Sequence, residues 1–80
     1  MTQVRYDPEA DALYVRLTDG SSARQKSLGD LRIIDYSADG AVLGVEFIGA
    51  SEGVELRDMP FAETIQQLID QSGLPIRVFA

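Results

Sequence analysis

The 80-residue chain weighs 8.7 kDa, which fits one small domain, and its 45 % hydrophobic and 25 % charged residues match a folded protein rather than a disordered tail. It contains no histidine, cysteine or tryptophan, which excludes Ser-His-Asp and Cys-His catalysis, disulfides, and zinc sites built on Cys or His. Seven basic residues face thirteen acidic ones for a net charge of −6. The basic residues are dispersed, and only Arg24 and Lys26 lie close together. Nucleic acid and anionic lipid surfaces require clustered Lys/Arg, so neither is an expected partner. No apolar run approaches the roughly 20 residues that span a bilayer. The segment Met1 to Asp7 lacks the apolar core of a signal peptide, and a cytoplasmic location is the expectation.

In chain order, Val4-Arg5-Tyr6 reads as a short strand ended by Asp7-Pro8. Glu9-Ala10-Asp11 makes a turn, and Ala12 to Leu17 alternates Leu13, Val15 and Leu17 against Tyr14 and Arg16. That alternation predicts a second strand and hence a hairpin. Thr18 to Ser22 is loop, and the polar stretch Ala23 to Leu28 reads as a weak edge strand. Leu31 to Tyr36 and Ala41 to Ile48 are the clearest strands, joined by a turn with the Asp39-Gly40 pair. An even-length loop places Ile34, Tyr36, Leu43, Val45 and Phe47 on one apolar face, and this register is adopted here.

The period then changes. Phe61, Ile65, Leu68 and Ile69 follow a helical stripe. Asp58 is the expected cap, Pro60 the first turn and Gly73 the terminator of a helix from about Pro60 to Ser72. Ile76 to Phe79 is short and β-prone, and either completes the chain's own sheet or pairs with a second copy. The expected fold is α+β: an antiparallel β-meander of four to five strands packed against one C-terminal helix. A domain of this size buries only about 60 % of its unfolded surface, which favours a homodimer through Val78, Phe79 and the exposed side of Tyr14.

Four constellations invite chemistry. Asp35, Ser37 and Asp39 alternate as oxygen ligands would, Gly40 follows, and Glu46 closes the stretch at calcium-loop spacing. A calcium loop of that type needs a helix on each side, and both flanks are β-prone, so a plain hairpin is the better reading. Asp7, Glu9 and Asp11 form a second acidic cluster, better read as turn-forming carboxylates that bond nearby amides than as a cation site or an acid/base pair. Gly44 inside a strand marks a bulge or a close contact with the helix. Tyr6, Tyr14 and Tyr36 are half-buried sheet residues rather than a base-stacking platform, because no positive groove accompanies them. No catalytic, cofactor-binding or metal residue is assigned, and the protein is not expected to be an enzyme.

Tyr6-Asp7-Pro8-Glu9-Ala10-Asp11-Ala12-Leu13-Tyr14-Val15-Arg16-Leu17 resembles the opening signature of a family of small bacterial and archaeal proteins, domain-of-unknown-function family 2283. Its second block, an isoleucine-rich strand, an Asp-Gly turn and a Gly-Val-Glu strand ending in Ala-Ser, resembles Ile33 to Tyr36, Gly40, and Gly44 to Ser51. The resemblance implies no activity. Because some relatives are encoded beside small toxin-like proteins, it implies an antitoxin-like role as partner of a small basic protein. The chain lacks the DNA-binding helix pair of antitoxins that repress their own operon. A non-catalytic interaction module is therefore the leading functional expectation, with divalent-cation binding by the Asp35–Glu46 or Asp7–Asp11 carboxylates as the alternative.

Overall fold

The computed structural model describes residues 3–79. Strands β1 (Gln3–Asp7) and β2 (Ala12–Arg16) form the expected hairpin, with Tyr6 opposite Leu13 and Val4 opposite Val15. Asp7 builds its turn, accepting the Glu9 amide at 3.0 Å and the Ala10 amide at 3.4 Å on Oδ1. Strands β3 (Arg24–Ser27), β4 (Arg32–Tyr36) and β5 (Val42–Ile48) follow, and all five join one antiparallel sheet.

The strand order, β1-β2-β5-β4-β3, departs from a sequential meander. Two antiparallel pieces, β1–β2 and β3–β4–β5, meet along β2 and β5. The cause lies in β3, whose Arg-Gln-Lys-Ser sequence is exposed throughout and can occupy only an edge. The central place falls to β5, whose residues Leu43 to Val45 and Phe47 are buried.

The turn between β4 and β5 also differs from the even-loop register. Ile34 pairs with Val45 as expected, but Tyr36 pairs with Val42, and the register shifts between Asp35 and Tyr36. Only Gly40 of the Asp39-Gly40 pair has positive φ, at 88°, and its amide donates to the Ser37 carbonyl at 3.0 Å. This is the wider loop in which glycine takes the left-handed position and one strand bulges. The extra residue is Leu43. It is buried outside the main core, against Gly20 of the loop after β2, while Val42 packs on the core instead.

Gly44 lies beside the bulge, but its close neighbour is not the helix. A Cβ there would fall 2.5 Å from Tyr14 Oη and 2.6 Å from the Val15 carbonyl oxygen. The tyrosine crosses the strand where glycine leaves room.

After β5 the chain makes a 3-10 turn at Ala50–Glu52, a two-residue strand β6 (Val54–Glu55), helix α1 (Ala62–Ser72) and strand β7 (Val78–Phe79). The C-terminal strand does not join the five-stranded sheet. It pairs in parallel with β6, Val54 opposite Val78, with α1 in the connection that parallel pairing requires.

The helix starts later than the sequence suggests. Asp58 does not cap it: Asp58 has φ 59°, and the N-cap residue is Phe61, also at φ 59°, with no side-chain cap bond. Phe61 is 59 % exposed, so the buried stripe reduces to Ile65 and Ile69, with Ala62 and Leu68 alongside. Gly73, at φ 76°, ends the helix as expected. The helix lies against β1 and β2, and the core joins Leu13, Val15, Ile34, Val45 and Phe47 of the sheet to Val54, Leu56, Met59, Ile65 and Ile69. Among the described residues no helix is long and apolar enough to cross a membrane.

Ile65 and Ile69 are the helix's anchors, so Ile65→Ala is expected to cost about 2–4 kcal/mol in urea melts. Phe61→Ala should change stability by less than about 0.5 kcal/mol, because its ring faces solvent. Gly44→Ala should cost about 1–3 kcal/mol, since backbone or Tyr14 must move.

Candidate functional site

Of the carboxylates that the sequence singles out, Asp7, Asp11, Asp35 and Asp39 are committed to the fold. Asp11, at φ 51°, closes the β1–β2 turn in a conformation that non-glycine residues adopt uncommonly. Its Oδ1 accepts the Tyr6 hydroxyl at 2.6 Å and the Ser51 amide at 2.9 Å, and its Oδ2 accepts the Ser51 hydroxyl at 2.7 Å. The Asp11 carbonyl accepts the Ala50 amide at 3.0 Å. The expected bonds to nearby amides are therefore replaced by bonds to a turn 40 residues away. The Tyr6 hydroxyl first, then the Ser51 hydroxyl and amide, hold the Asp11 carboxyl below its ordinary value of 3.8. The same bond, aided by desolvation and by the charges of Asp11 and Asp7, raises the Tyr6 phenol above 10.0.

Asp35 forms a second node. It is buried, and it accepts hydrogen bonds from the Ser22 hydroxyl and from Tyr14 Oη, the latter at 3.2 Å. Burial is the main cause that raises the Tyr14 phenol, and the charge of Asp35 adds to it against the opposing effect of Arg16. Asp39 turns instead to its own hairpin loop, where the Ser37 hydroxyl and the Ala41 amide hold its carboxyl low. Glu46 stands on β5 opposite Tyr14 and Ile33. The calcium-like spacing is thus a strand-turn-strand hairpin. Among the described residues no three acidic side chains come together as a metal would require. Asp7 serves its own turn and Asp11 reaches Ser51, so the second acidic cluster is also divided.

The tyrosines do not share a surface. Tyr6 and Tyr36 pack against the core, whereas Tyr14 lies on the other face over Gly44. The Arg24 guanidinium sits over the Tyr36 ring at 5.3 Å.

The feature absent from the sequence reading is a half-open groove of about 530 Å³ between the β4–β5 end of the sheet and the β6–β7 pair. The Ile48 amide donates to the Leu31 carbonyl at 2.8 Å, which sets these two side chains next to each other at its wall. Phe79 closes the far side beside Gly53. Leu31, Ile48 and Phe79 are three of the four large apolar residues exposed among the described residues. Asp30, Glu52 and Glu55 contribute carboxylates to the same lining. Leu31 and Ile48 looked like ordinary strand residues, and only the flanking Gly29-Asp30 and Gly49 signalled that both sit where strands end.

The lowered Asp11 carboxyl makes a pH prediction. Its contribution to stability is present in full well above pH 3.8 and is lost as pH falls through the lower folded value. Asp11→Asn should lower the urea midpoint at neutral pH, and the gap to wild type should narrow as the melts are repeated at progressively lower pH. A gap that stays constant through the acid range would show that the ionised carboxylate is not what holds Tyr6 and Ser51.

No curated protein and no solved structure matches the chain. The family model described as "Protein of unknown function (DUF2283)" matches residues 3–51. That span holds all five strands of the main sheet and both partners of Asp11, Tyr6 and Ser51, and it stops before β6, α1 and β7. With more than half of its length matched, and with the two signature blocks meeting at Asp11, the chain belongs to the DUF2283 family.

Proposed function

We propose that this protein is a cytoplasmic, non-catalytic protein–protein interaction module, the acidic partner of a small basic protein. The observation that carries the reading is the grouping of Leu31, Ile48 and Phe79, 58 %, 36 % and 46 % exposed, around one groove. Scattered exposed apolar residues are ordinary, whereas three gathered at one groove beside polar residues support an interaction surface. The net charge of −6 favours a basic partner through the attraction of opposite fields. A second copy of this chain is the competing occupant, and it would bring the same sign of charge. The cation-binding alternative would need Asp35, Ser37 and Asp39 to turn toward one ion, and each already bonds within its own chain.

Immobilised wild-type protein should retain a specific protein from a lysate of its native host, identified by mass spectrometry. Leu31→Glu with Ile48→Glu should lose that protein while the variant keeps a cooperative urea melt and the circular dichroism of wild type, since both side chains reach solvent. Equal retention by the double variant would overturn the assignment of this surface.

A further inference from the structure

We infer that the groove recognises a short protein segment in which aliphatic side chains are flanked by lysine or arginine; this rests on the interaction-module reading and specifies the partner's docking chemistry. Two independent properties of the groove converge on that segment. Its walls are the apolar side chains of Leu31, Ile48 and Phe79, which stabilise aliphatic groups brought out of water. Its remaining lining includes the acidic residues Asp30, Glu52 and Glu55.

Those carboxylates are poorly matched inside the chain. Among the described residues, Asp30 and Glu52 form no ion pair, and Glu55 has only the exposed Arg57 at 4.0 Å. Arg32, the cation of the lining, directs its Nη1 to the backbone carbonyls of Glu55 and Arg57 at 3.2 and 2.6 Å. It braces the groove and keeps its charge, so the lining sets three acidic residues against this one cation. Ammonium or guanidinium groups on either side of an aliphatic anchor would meet the carboxylates as the anchor meets Leu31 and Ile48. Phosphate-bearing ligands are repelled by the same rim. A volume of about 530 Å³ accepts a few side chains, which a short segment presents in sequence.

The test is fluorescence anisotropy with a labelled peptide, Gly-Lys-Leu-Lys-Leu-Lys-Gly, against two counterparts in which glutamate replaces lysine or serine replaces leucine. The lysine–leucine peptide should bind roughly tenfold or more tightly than either counterpart, and less tightly as salt is raised. Leu31→Ser with Ile48→Ser, and separately Asp30→Asn with Glu52→Gln, should each weaken it about tenfold; the second pair is nearly isosteric and keeps the apolar walls. Equal binding of the lysine and glutamate peptides, both lost in the Leu31/Ile48 variant, would overturn the charge inference and leave the docking groove standing. Lysine–leucine binding unchanged in both variants would overturn the inference as attraction to net charge alone. So would failure of every peptide to bind a protein that still captures its native partner through Leu31 and Ile48. A concentration-dependent doubling of mass in light scattering, abolished by the Leu31/Ile48 variant, would also overturn it by assigning the groove to a second copy.

Discussion

The Asp11 carboxylate is the constraint on which the sheet depends. The pairing of β2 with β5 joins segments far apart in sequence, and such pairing must close a long loop before any contact rewards it. Asp11 clamps that junction at one end: a single side chain binds Tyr6 of β1 and both polar hydrogens of Ser51 just after β5. Its backbone carbonyl adds the Ala50 amide. The left-handed φ of Asp11 is the local strain that aims the carboxylate at the distant turn instead of at its own. Alanine at this position would keep the strain and the bond from the Ala50 amide, and lose the carboxylate acceptor that Tyr6 and Ser51 share.

Asp35 does comparable work on the opposite face. The chain must leave β2 and travel to the far edge to begin β3, and the loop that makes this crossing carries Ser22. Ser22 and Tyr14 both donate to Asp35, so loop, β2 and β4 are fastened at one buried carboxylate. Tyr14 can reach it only because residue 44 has no side chain. A buried acid without hydrogen-bond donors would be expensive, and the two hydroxyls supply them. The four aspartates that look most chemical in the sequence are therefore occupied by structure.

Much of this was legible from residue order. The period-two alternation around Leu13 and Val15, the Asp39-Gly40 turn and Gly73 after the helical stripe each state a local preference that the fold obeys. What was not legible is non-local. Nothing near β2 says that its neighbour is β5, because the decisive fact is the polarity of β3 elsewhere in the chain. The bulge at Leu43 shifts the faces by one residue, and its reason is the turn geometry together with the packing of Leu43 on Gly20. Phe61 fits the helical period but stands at the cap, where the left-handed backbone turns it outward. Asp11 was recognised as a turn residue, but its partner Ser51 lies too far along the chain for any spacing rule. The groove was invisible for the same reason, since Leu31, Ile48 and Phe79 become neighbours only after β7 docks on β6.

The position of the groove relative to the family match bears on how such a surface can be tuned. Ile48 ends β5, Asp30 and Leu31 lie in the turn before β4, and all three fall within the matched residues, whereas Glu52, Glu55 and Phe79 lie beyond them. One wall is thus part of the unit held together by Asp11 and Asp35, and the other is carried by β6 and β7, which contact that unit mainly through apolar packing and the Arg32 brace. A substitution at Phe79 or Glu55 reshapes the groove without touching either carboxylate node. A substitution at Ile48 sits two residues from Ala50, whose amide bonds Asp11, so the sheet wall is tied to stability in a way the other wall is not. The two walls therefore differ in what holds them in place: the sheet wall stands on the Asp11 and Asp35 nodes, and the β6–β7 wall stands on apolar packing and Arg32.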